Sequence, residues 1–194
     1  MAKVAISRGV SHMVGLQARG DPVLLRLKEL VAEGYVGELL LCNITMFLPG
    51  ILGRGPDRAW SADRRAGANT LTIASGHSID ALCFCVGEFK ELSARVAVQV
   101  PEWAAAGESG KALKVDAADN VLINGVLTNG AVASVHVSTV PWHGTGWRME
   151  VYGSEGTLTA MSQEMVQYAR IQLRGGKRDG DVEDIPIPDS LTWV

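Results

Sequence analysis

Segments that alternate apolar and polar side chains fill the second half of the chain, and they constrain its fold more than any other feature of the sequence. Residues 121–128 and 131–138 are two such runs, separated by the dipeptide Asn129-Gly130. Because Asn-Gly readily adopts the positive φ angles of a type I′ turn, the pattern predicts a β-hairpin. A second hairpin is predicted over residues 148–161 and a further strand over residues 166–173.

Two helices and one strongly apolar strand are predicted in the first half. Asp21 followed by Pro22 is a helix-start signal, and Gly34 ends a run with apolar residues at helical spacing. A second helix is predicted from Ser75 or Gly76 to Gly87, and residues 37–48 predict an interior strand covered on both faces. Further predictions are the tail of a helix over residues 3–9, a short buried strand over 12–17, a strand over 89–100, a long loop over 49–69, and a mobile connection over 101–116.

These elements define an α+β fold built on one large, mainly antiparallel, open sheet of about six strands with helices on one face. Of the 194 residues, 47% are hydrophobic, which is enough for a substantial core. Residues 18–175 are predicted to form the domain, and residues 176–194 a solvated loop and tail.

Two helices cover only one face of such a sheet, and the strands over residues 37–48 and 121–137 are interpreted as apolar at both alternating sets of positions. We therefore expect the chain to form a homodimer or homotetramer through the other face. The alternative is that residues 49–69 or 101–116 fold over that face and complete a monomer.

Charge and composition exclude several classes of partner. Eighteen basic and twenty-one acidic residues give a net charge of −3 without a basic patch, so no nucleic-acid partner is expected. The first residues lack the pattern of a signal peptide, and no run approaches the ~20 apolar residues of a membrane helix. Cys42, Cys83 and Cys85 suit neither a disulfide framework nor a zinc site, which favours a reducing compartment and predicts a cytoplasmic protein.

The common catalytic motifs are absent from the sequence. It contains no Gly-x-Gly-x-x-Gly after a strand, no phosphate-binding Gly-Lys-Ser/Thr loop, no Gly-x-Ser-x-Gly and no His-Glu-x-x-His. The four histidines fall on separate predicted elements, so no metal site is expected. This chain alone is therefore predicted to bind neither NAD nor NADP.

One stretch does suggest chemistry, because His77 and Asp80 are three residues apart at the start of a predicted helix and share one face. A histidine beside a carboxylate can be held in one tautomer and titrate near neutral pH, which suits proton transfer. The alternative is that Asp80 merely stabilises the helix N-terminus and His77 is a partly buried structural residue.

Four segments together resemble the Gfo/Idh/MocA oxidoreductases, in particular the branch that includes the fungal galactose-regulon repressor. They are VGLQARGDP at residues 14–22, LVAEGYVGEL at 30–39, GANTLTIASGHSID at 67–80 and VYGSEGTL at 151–158. The resemblance covers about residues 3–161, in the order and with the separations of that family.

The resemblance implies a two-domain parent protein in which an N-terminal Rossmann domain binds NAD or NADP and a C-terminal α+β domain lines the substrate pocket. Residues 1–17 are then the end of the Rossmann domain, and the chain is a fragment. His77 matches the family's catalytic histidine, which exchanges a proton with a sugar- or polyol-like small-molecule substrate. Gln17, Arg19 and Asn69 would join His77 in binding that substrate.

The sequence departs from the family pattern at Ile73, because the dehydrogenases usually carry aspartate at this position, four residues before the histidine. A ligand-sensing regulator without turnover and a purely structural dimerisation module therefore remain alternatives to the enzyme. Arg19 is equally compatible with a salt bridge, and Asn69 with a role in a turn. The residues Trp142, His143 and Trp147 are predicted to form an aromatic wall for a sugar-like ligand or, alternatively, to pack under a loop without binding a ligand.

Overall fold

Strands with alternating apolar and polar side chains make up most of the fold in the computed structural model. The structure describes residues 2–103, 112–168 and 170–192. The described helices are α1 (Ala2–Ser7), α2 (Pro22–Ala32) and α3 (Gly76–Val86). The described strands are β1 (Leu39–Phe47), β2 (Phe89–Ala97), β3 (Glu102–Trp103), β4 (Leu113–Lys114), β5 (Asn120–Leu127), β6 (Val132–Ser138), β7 (Gly146–Gly153), β8 (Gly156–Ser162), β9 (Gln172–Lys177) and β10 (Glu183–Asp184).

Eight of these strands form one sheet in the order β10-β9-β8-β7-β1-β6-β5-β2. All neighbouring pairs are antiparallel except β1 and β6, which run parallel. The predicted β5–β6 hairpin is present, and Gly130 in its turn has a positive φ of +92°. The predicted type I′ turn is wrong, because Asn129 does not have the positive φ that this turn requires. The Leu127 amide donates to the Ala131 carbonyl (2.8 Å), so the loop has three residues instead of two. The predicted α+β fold with a large, mainly antiparallel sheet is thus confirmed.

The core lies between one face of the sheet and the helices α2 and α3. Asp21 caps α2 by accepting a hydrogen bond from the Val23 amide (2.8 Å), and Pro22 occupies the first turn. Leu24 and Leu27 of α2 are fully buried, as is Leu82 of α3. They pack on the sheet's inner face, whose buried residues include Cys42, Ile44, Met46, Val121, Val135, Val137, Trp147, Met149, Val151 and Leu158.

The outer face of the sheet is more polar than the sequence analysis expects. Register places Asn124, Ser134, Asn43 and Glu150 in one row across β5, β6, β1 and β7. An adjacent row holds Val126, Val132, Leu41 and Tyr152. The reading of β1 and β6 as apolar on both faces is therefore wrong, since their outer positions carry polar side chains between the apolar ones.

Two predicted strands are corrected. Residues 10–16 have no regular secondary structure, and Gln17–Gly20 is a 3-10 helix. The buried strand predicted over residues 12–17 fails because no strand of the described residues pairs with this exposed segment. The strand predicted over 166–173 is a 3-10 helix at Val166–Tyr168 followed by β9, because Arg170 adopts a positive φ of 64° that interrupts extended backbone.

The two remaining segments are partly ordered into the fold. Within the predicted solvated tail, Glu183–Asp184 pairs with β9, and Ile185 and Ile187 pack against the core. Half of the predicted mobile connection over 101–116, residues 104–111, lies outside the described residues, and β3 pairs with β4 on either side of that half. Among the described helices, none is long and apolar enough to cross a membrane.

Candidate functional site

A cavity of about 260 Å³ opens where the parallel strands β1 and β6 end. Parallel strands bring their carboxyl ends to the same edge of a sheet, so Leu48 after β1 and Thr139 after β6 are neighbours there. The cavity is lined by Leu48, Pro49, Arg54, Arg58, Trp60, Ser61, Ala68, Asn69, Thr70, Ile73, Ala74, Thr139, Met165 and Tyr168.

One wall of this cavity is a π-helix, Thr70–Ser75, that leads directly into α3. The side-chain oxygen of Asn69 accepts hydrogen bonds from the amides of Leu71 (3.0 Å) and Thr72 (3.3 Å). The Thr72 hydroxyl oxygen accepts from the Asn69 amide in return (3.1 Å), which completes a capping box. The predicted helix start at Ser75 or Gly76 agrees with α3, whereas the sequence analysis predicts no helix over Thr70–Ser75.

Asn69 therefore lies in the cavity wall as the sequence predicts, but its carbonyl oxygen is engaged in capping. These hydrogen bonds agree with the alternative role of Asn69, which is to hold a turn of the backbone. The hydroxyl oxygens of Thr70 and Thr139 are 2.7 Å apart and tie the π-helix to the end of β6. The π-helix in the cavity wall is thus hydrogen-bonded both at its start and to the end of β6.

His77 lies in the first turn of α3, one turn beyond the Ile73 and Ala74 wall of the cavity. It is partly buried, and its Nδ1 is buried without a hydrogen-bond partner among the described residues. Burial lowers the pKa of the imidazole, and the nearby Asp80 charge opposes that shift. The imidazole is thus neutral at pH 7 and able to accept a proton.

Arg19, not His77, is the partner of Asp80. The Arg19 guanidinium donates from Nε to both carboxylate oxygens (3.0 Å each) and from Nη2 to Oδ1 (2.6 Å). No hydrogen bond joins Asp80 to His77 in the described structure, so the carboxylate does not fix the imidazole tautomer as the sequence hypothesis proposes. Arg19 therefore forms a salt bridge, which is the alternative role that the sequence analysis gives it. Arg19 lies on a 3-10 helix and not at the end of a strand.

Gln17 is exposed and lines a separate, shallow depression of about 450 Å³ with Arg19 and residues 13–16. The described cavity at the strand ends does not include Gln17, Arg19 or His77. The two regions are adjacent, because the 3-10 helix Val166–Tyr168 contacts the Gln17–Gly20 helix and also contributes Tyr168 to the cavity. The structure thus brings Asn69 and His77 to one helical segment and places Gln17 and Arg19 beside it.

Sequence reasoning missed four cavity residues: Arg54, Arg58, Trp60 and Tyr168. The available signal was the loop over residues 49–69, since long loops in compact domains tend to be functional. Three of the four lie in it, within and next to the 3-10 helix Pro56–Ala62. Tyr168 lies within the incorrectly predicted strand over residues 166–173 and carried no signal.

The proposed aromatic wall is not formed. Trp147 is fully buried in the core, while Trp142 and His143 are exposed and outside the described cavity lining. The packing alternative therefore holds for Trp147.

Burial raises the pKa of the Cys83 thiol to about 11 and that of Cys85 to about 12, so both stay protonated at neutral pH. Within residues 2–103, 112–168 and 170–192, no group of three His, Cys, Asp or Glu side chains is placed to hold a metal ion.

This architecture, a large mixed sheet with helices on one face, is that of the C-terminal domain of Gfo/Idh/MocA-type oxidoreductases and Gal80 regulators. A family model for the C-terminal domain of Gal80p matches residues 22–162, most of the chain. The chain belongs to this family, the branch that the sequence resemblance indicates.

Two curated relatives are dehydrogenases. "Dehydrogenase aclE" of Aspergillus oryzae is 37% identical over 102 residues, which cover 53% of this chain and 28% of that protein. Levoglucosan dehydrogenase of Pseudarthrobacter phenanthrenivorans is 27% identical over 165 residues, which cover 78% of this chain and 42% of that protein. The chain thus spans less than half the length of either relative.

Two solved structures share the fold. A super-repressor mutant of Gal80p from Saccharomyces cerevisiae superposes with a TM-score of 0.83 at 22% identity, covering 95% of this chain and 51% of that chain. Levoglucosan dehydrogenase in complex with NADH and levoglucosan superposes with a TM-score of 0.77 at 22% identity, covering 94% of this chain and 49% of that chain. At these identities the comparison establishes the fold alone.

Proposed function

We propose that this chain is the substrate-binding and oligomerisation half of an NAD(P)-dependent oxidoreductase that acts on a hydroxyl or carbonyl group of a sugar- or polyol-like substrate. The observation that carries the proposal is the cavity walled by Ile73 and Ala74, one helical turn from a neutral, partly buried His77. The dehydrogenase relatives support the same reaction class.

The dinucleotide does not fit the residues of this chain. The sequence offers no glycine-rich turn from a strand into a helix, which is the feature that binds a pyrophosphate through backbone amides. We assign NAD or NADP to the Rossmann domain of a longer parent protein, and the predicted lack of binding by this chain alone remains a prediction.

His77 is the group that we assign to proton transfer. A neutral imidazole accepts the proton of a substrate hydroxyl during oxidation and returns it to a carbonyl oxygen during reduction. Because its pKa is lowered, His77 is in the accepting form at neutral pH without help from a carboxylate. Gln17 and Arg19 lie on the neighbouring 3-10 helix, outside the described cavity lining, and their part in substrate binding stays a prediction.

A second candidate function is ligand sensing without turnover, as a regulator. Ile73 favours the regulator, because the family's dehydrogenases usually carry aspartate at this position. Ile73 lies in the cavity wall and is 42% exposed. An apolar side chain there cannot hydrogen-bond to the imidazole, so ligand binding would be retained while proton transfer is weakened.

The test uses the full-length parent protein and measures NAD- and NADP-linked oxidation of a panel of sugars and polyols. If the parent is an enzyme, His77→Ala is expected to lower turnover by roughly 10²- to 10⁴-fold with a smaller effect on cofactor affinity. His136→Ala is the matched control, because His136 is also partly buried with a lowered pKa but lies on the outer face of the sheet. Unchanged turnover in His77→Ala would contradict the assigned role, and sugar binding without turnover by the wild type would favour the regulator.

A further inference from the structure

The cavity at the ends of β1 and β6 carries two positive charges and no negative one. Arg54 and Arg58 both line it, and none of the described lining residues is an aspartate or glutamate. Arg54 is half-buried and Arg58 is exposed at the rim. Since a half-buried cation is normally paired, the lack of an acidic partner for Arg54 calls for an explanation.

Neighbouring side chains hold Arg54 in place without neutralising it. Its Nη1 donates to the Ser61 hydroxyl oxygen (3.2 Å), and its guanidinium lies 5.0 Å from the centre of the Trp103 ring. Ser61 is itself fixed, because its hydroxyl donates to the backbone carbonyl of Arg58 (2.8 Å). No carboxylate of the described residues lies within salt-bridge distance of Arg54.

Arg58 adds a second charge close to the first. Burial is the main cause that lowers the pKa of Arg54, and the positive charge of Arg58 lowers that pKa further. Asp57 opposes this shift, but it is exposed, lies outside the cavity, and contacts Arg58 only loosely at 3.7 Å. Repulsion between two guanidinium groups in a pocket is relieved when an anion binds between them.

The rest of the cavity suits a sugar ring. Trp60 and Tyr168 are 55% and 60% exposed, so their rings offer apolar surface to a bound molecule. A volume of about 260 Å³ lies below the ~300–1,000 Å³ of pockets for drug-sized ligands and favours a monosaccharide-sized one.

We propose that Arg54 and Arg58 recognise an oxyanion group, carboxylate or phosphate, on a monosaccharide-sized ligand, so that the substrate class is an acidic sugar derivative rather than a neutral sugar. Arginine is suited to this task because its planar fork donates two parallel hydrogen bonds to either group. The inference rests on the proposed function, since it names the substrate class of the same cavity.

Calorimetric titration of the full-length protein with D-glucuronate, D-glucose 6-phosphate and D-glucose tests this. We expect at least one acidic sugar to bind roughly tenfold or more tightly than glucose, the range of a charge-assisted hydrogen-bond pair. Whichever acidic sugar binds more tightly identifies the oxyanion. Arg58→Gln is the first variant because its side chain is exposed and has no hydrogen bond in the described structure. It should remove the preference for the acidic sugar over glucose.

Arg64→Gln is the matched control, since Arg64 is a surface arginine of the same loop that does not line the cavity. Arg54→Lys, which keeps the charge but loses the fork, should weaken acidic-sugar binding while preserving the fold. Glucose binding as tightly as both acids, with no effect of Arg58→Gln, would overturn the inference and leave the proposed sugar-binding function intact. Binding of none of the three sugars would overturn the inference and count against the proposed function as well.

Discussion

Partial burial lowers the pKa of the His77 imidazole, and no carboxylate is hydrogen-bonded to it in the described structure. Both carboxylate oxygens of Asp80 accept hydrogen bonds from Arg19, and the residue one helical turn before His77 is Ile73. The imidazole therefore has a lowered pKa for one main reason, the loss of solvation of its charged form.

This cause fixes the direction of a pH dependence. The pKa of His77 lies below the ordinary 6.5, so the base form predominates at pH 7, and protonation sets in only as the pH falls through the lowered value. In an active parent enzyme, kcat/KM for hydroxyl oxidation should fall with decreasing pH and reach half of its plateau value only below pH 6.5, as a pH profile of initial rates would show. The His136→Ala variant should keep this profile. A half-maximal point above pH 6.5 would contradict burial as the dominant influence.

The start of α2 offers a test of helix capping in the same domain. Asp21→Ala removes the acceptor of the Val23 amide and should cost about 1 kcal/mol of unfolding free energy, or roughly 2–4 °C in Tm. Asp21→Asn is the matched control, because asparagine caps a helix about as well as aspartate. Urea denaturation of both variants measures the difference, and equal stability of Asp21→Ala and the wild type would contradict the capping role.

Local signals in the sequence predicted the elements that depend on local chemistry. The hairpin at Asn129-Gly130 and the Asp21-Pro22 helix start each depend on a few neighbouring residues, and both are present, although the hairpin has a three-residue loop in place of the predicted type I′ turn. The strand predicted over residues 12–17 failed for the converse reason, since an apolar run becomes a strand only where another strand pairs with it.

The cavity could not be predicted in the same way. It depends on parallel pairing of β1 with β6, which brings together Leu48 and Thr139 from distant parts of the sequence. Asn69 was accessible only through resemblance to a family, whereas His77 was singled out by its spacing from Asp80 as well. Arg54 and Arg58 carried no motif, and their significance comes from the lack of an aspartate or glutamate among the described residues that line the cavity, which only the packed structure reveals.

The outer sheet face bears on the assembly of the whole molecule. Val132 and Leu122 expose 59% and 42% of their surface on this face, and the row Val126, Val132, Leu41 and Tyr152 crosses four strands. We propose that a second copy covers this row, with the polar rows beside it contributing hydrogen bonds at the interface.

Light scattering at micromolar concentration measures the assembly directly. We expect a mass of two or four subunits, and Val132→Glu should shift it toward one subunit, because a charge buried at the interface costs free energy. Leu92→Glu is the control, since Leu92 is also exposed (54%) but lies on the inner side of edge strand β2. A monomeric wild type would contradict the proposed interface.

The central claim is that the substrate binds in the cavity at the ends of β1 and β6, beside His77. Methyl NMR of the full-length protein during titration with the sugar that binds most tightly tests it most directly. The methyl groups of Ile73 and Met165, which line the cavity, should shift with one common affinity, while the Leu122 methyls on the outer face should not move. Shifts confined to Leu122 and its neighbours, with Ile73 and Met165 unchanged at saturation, would contradict the account.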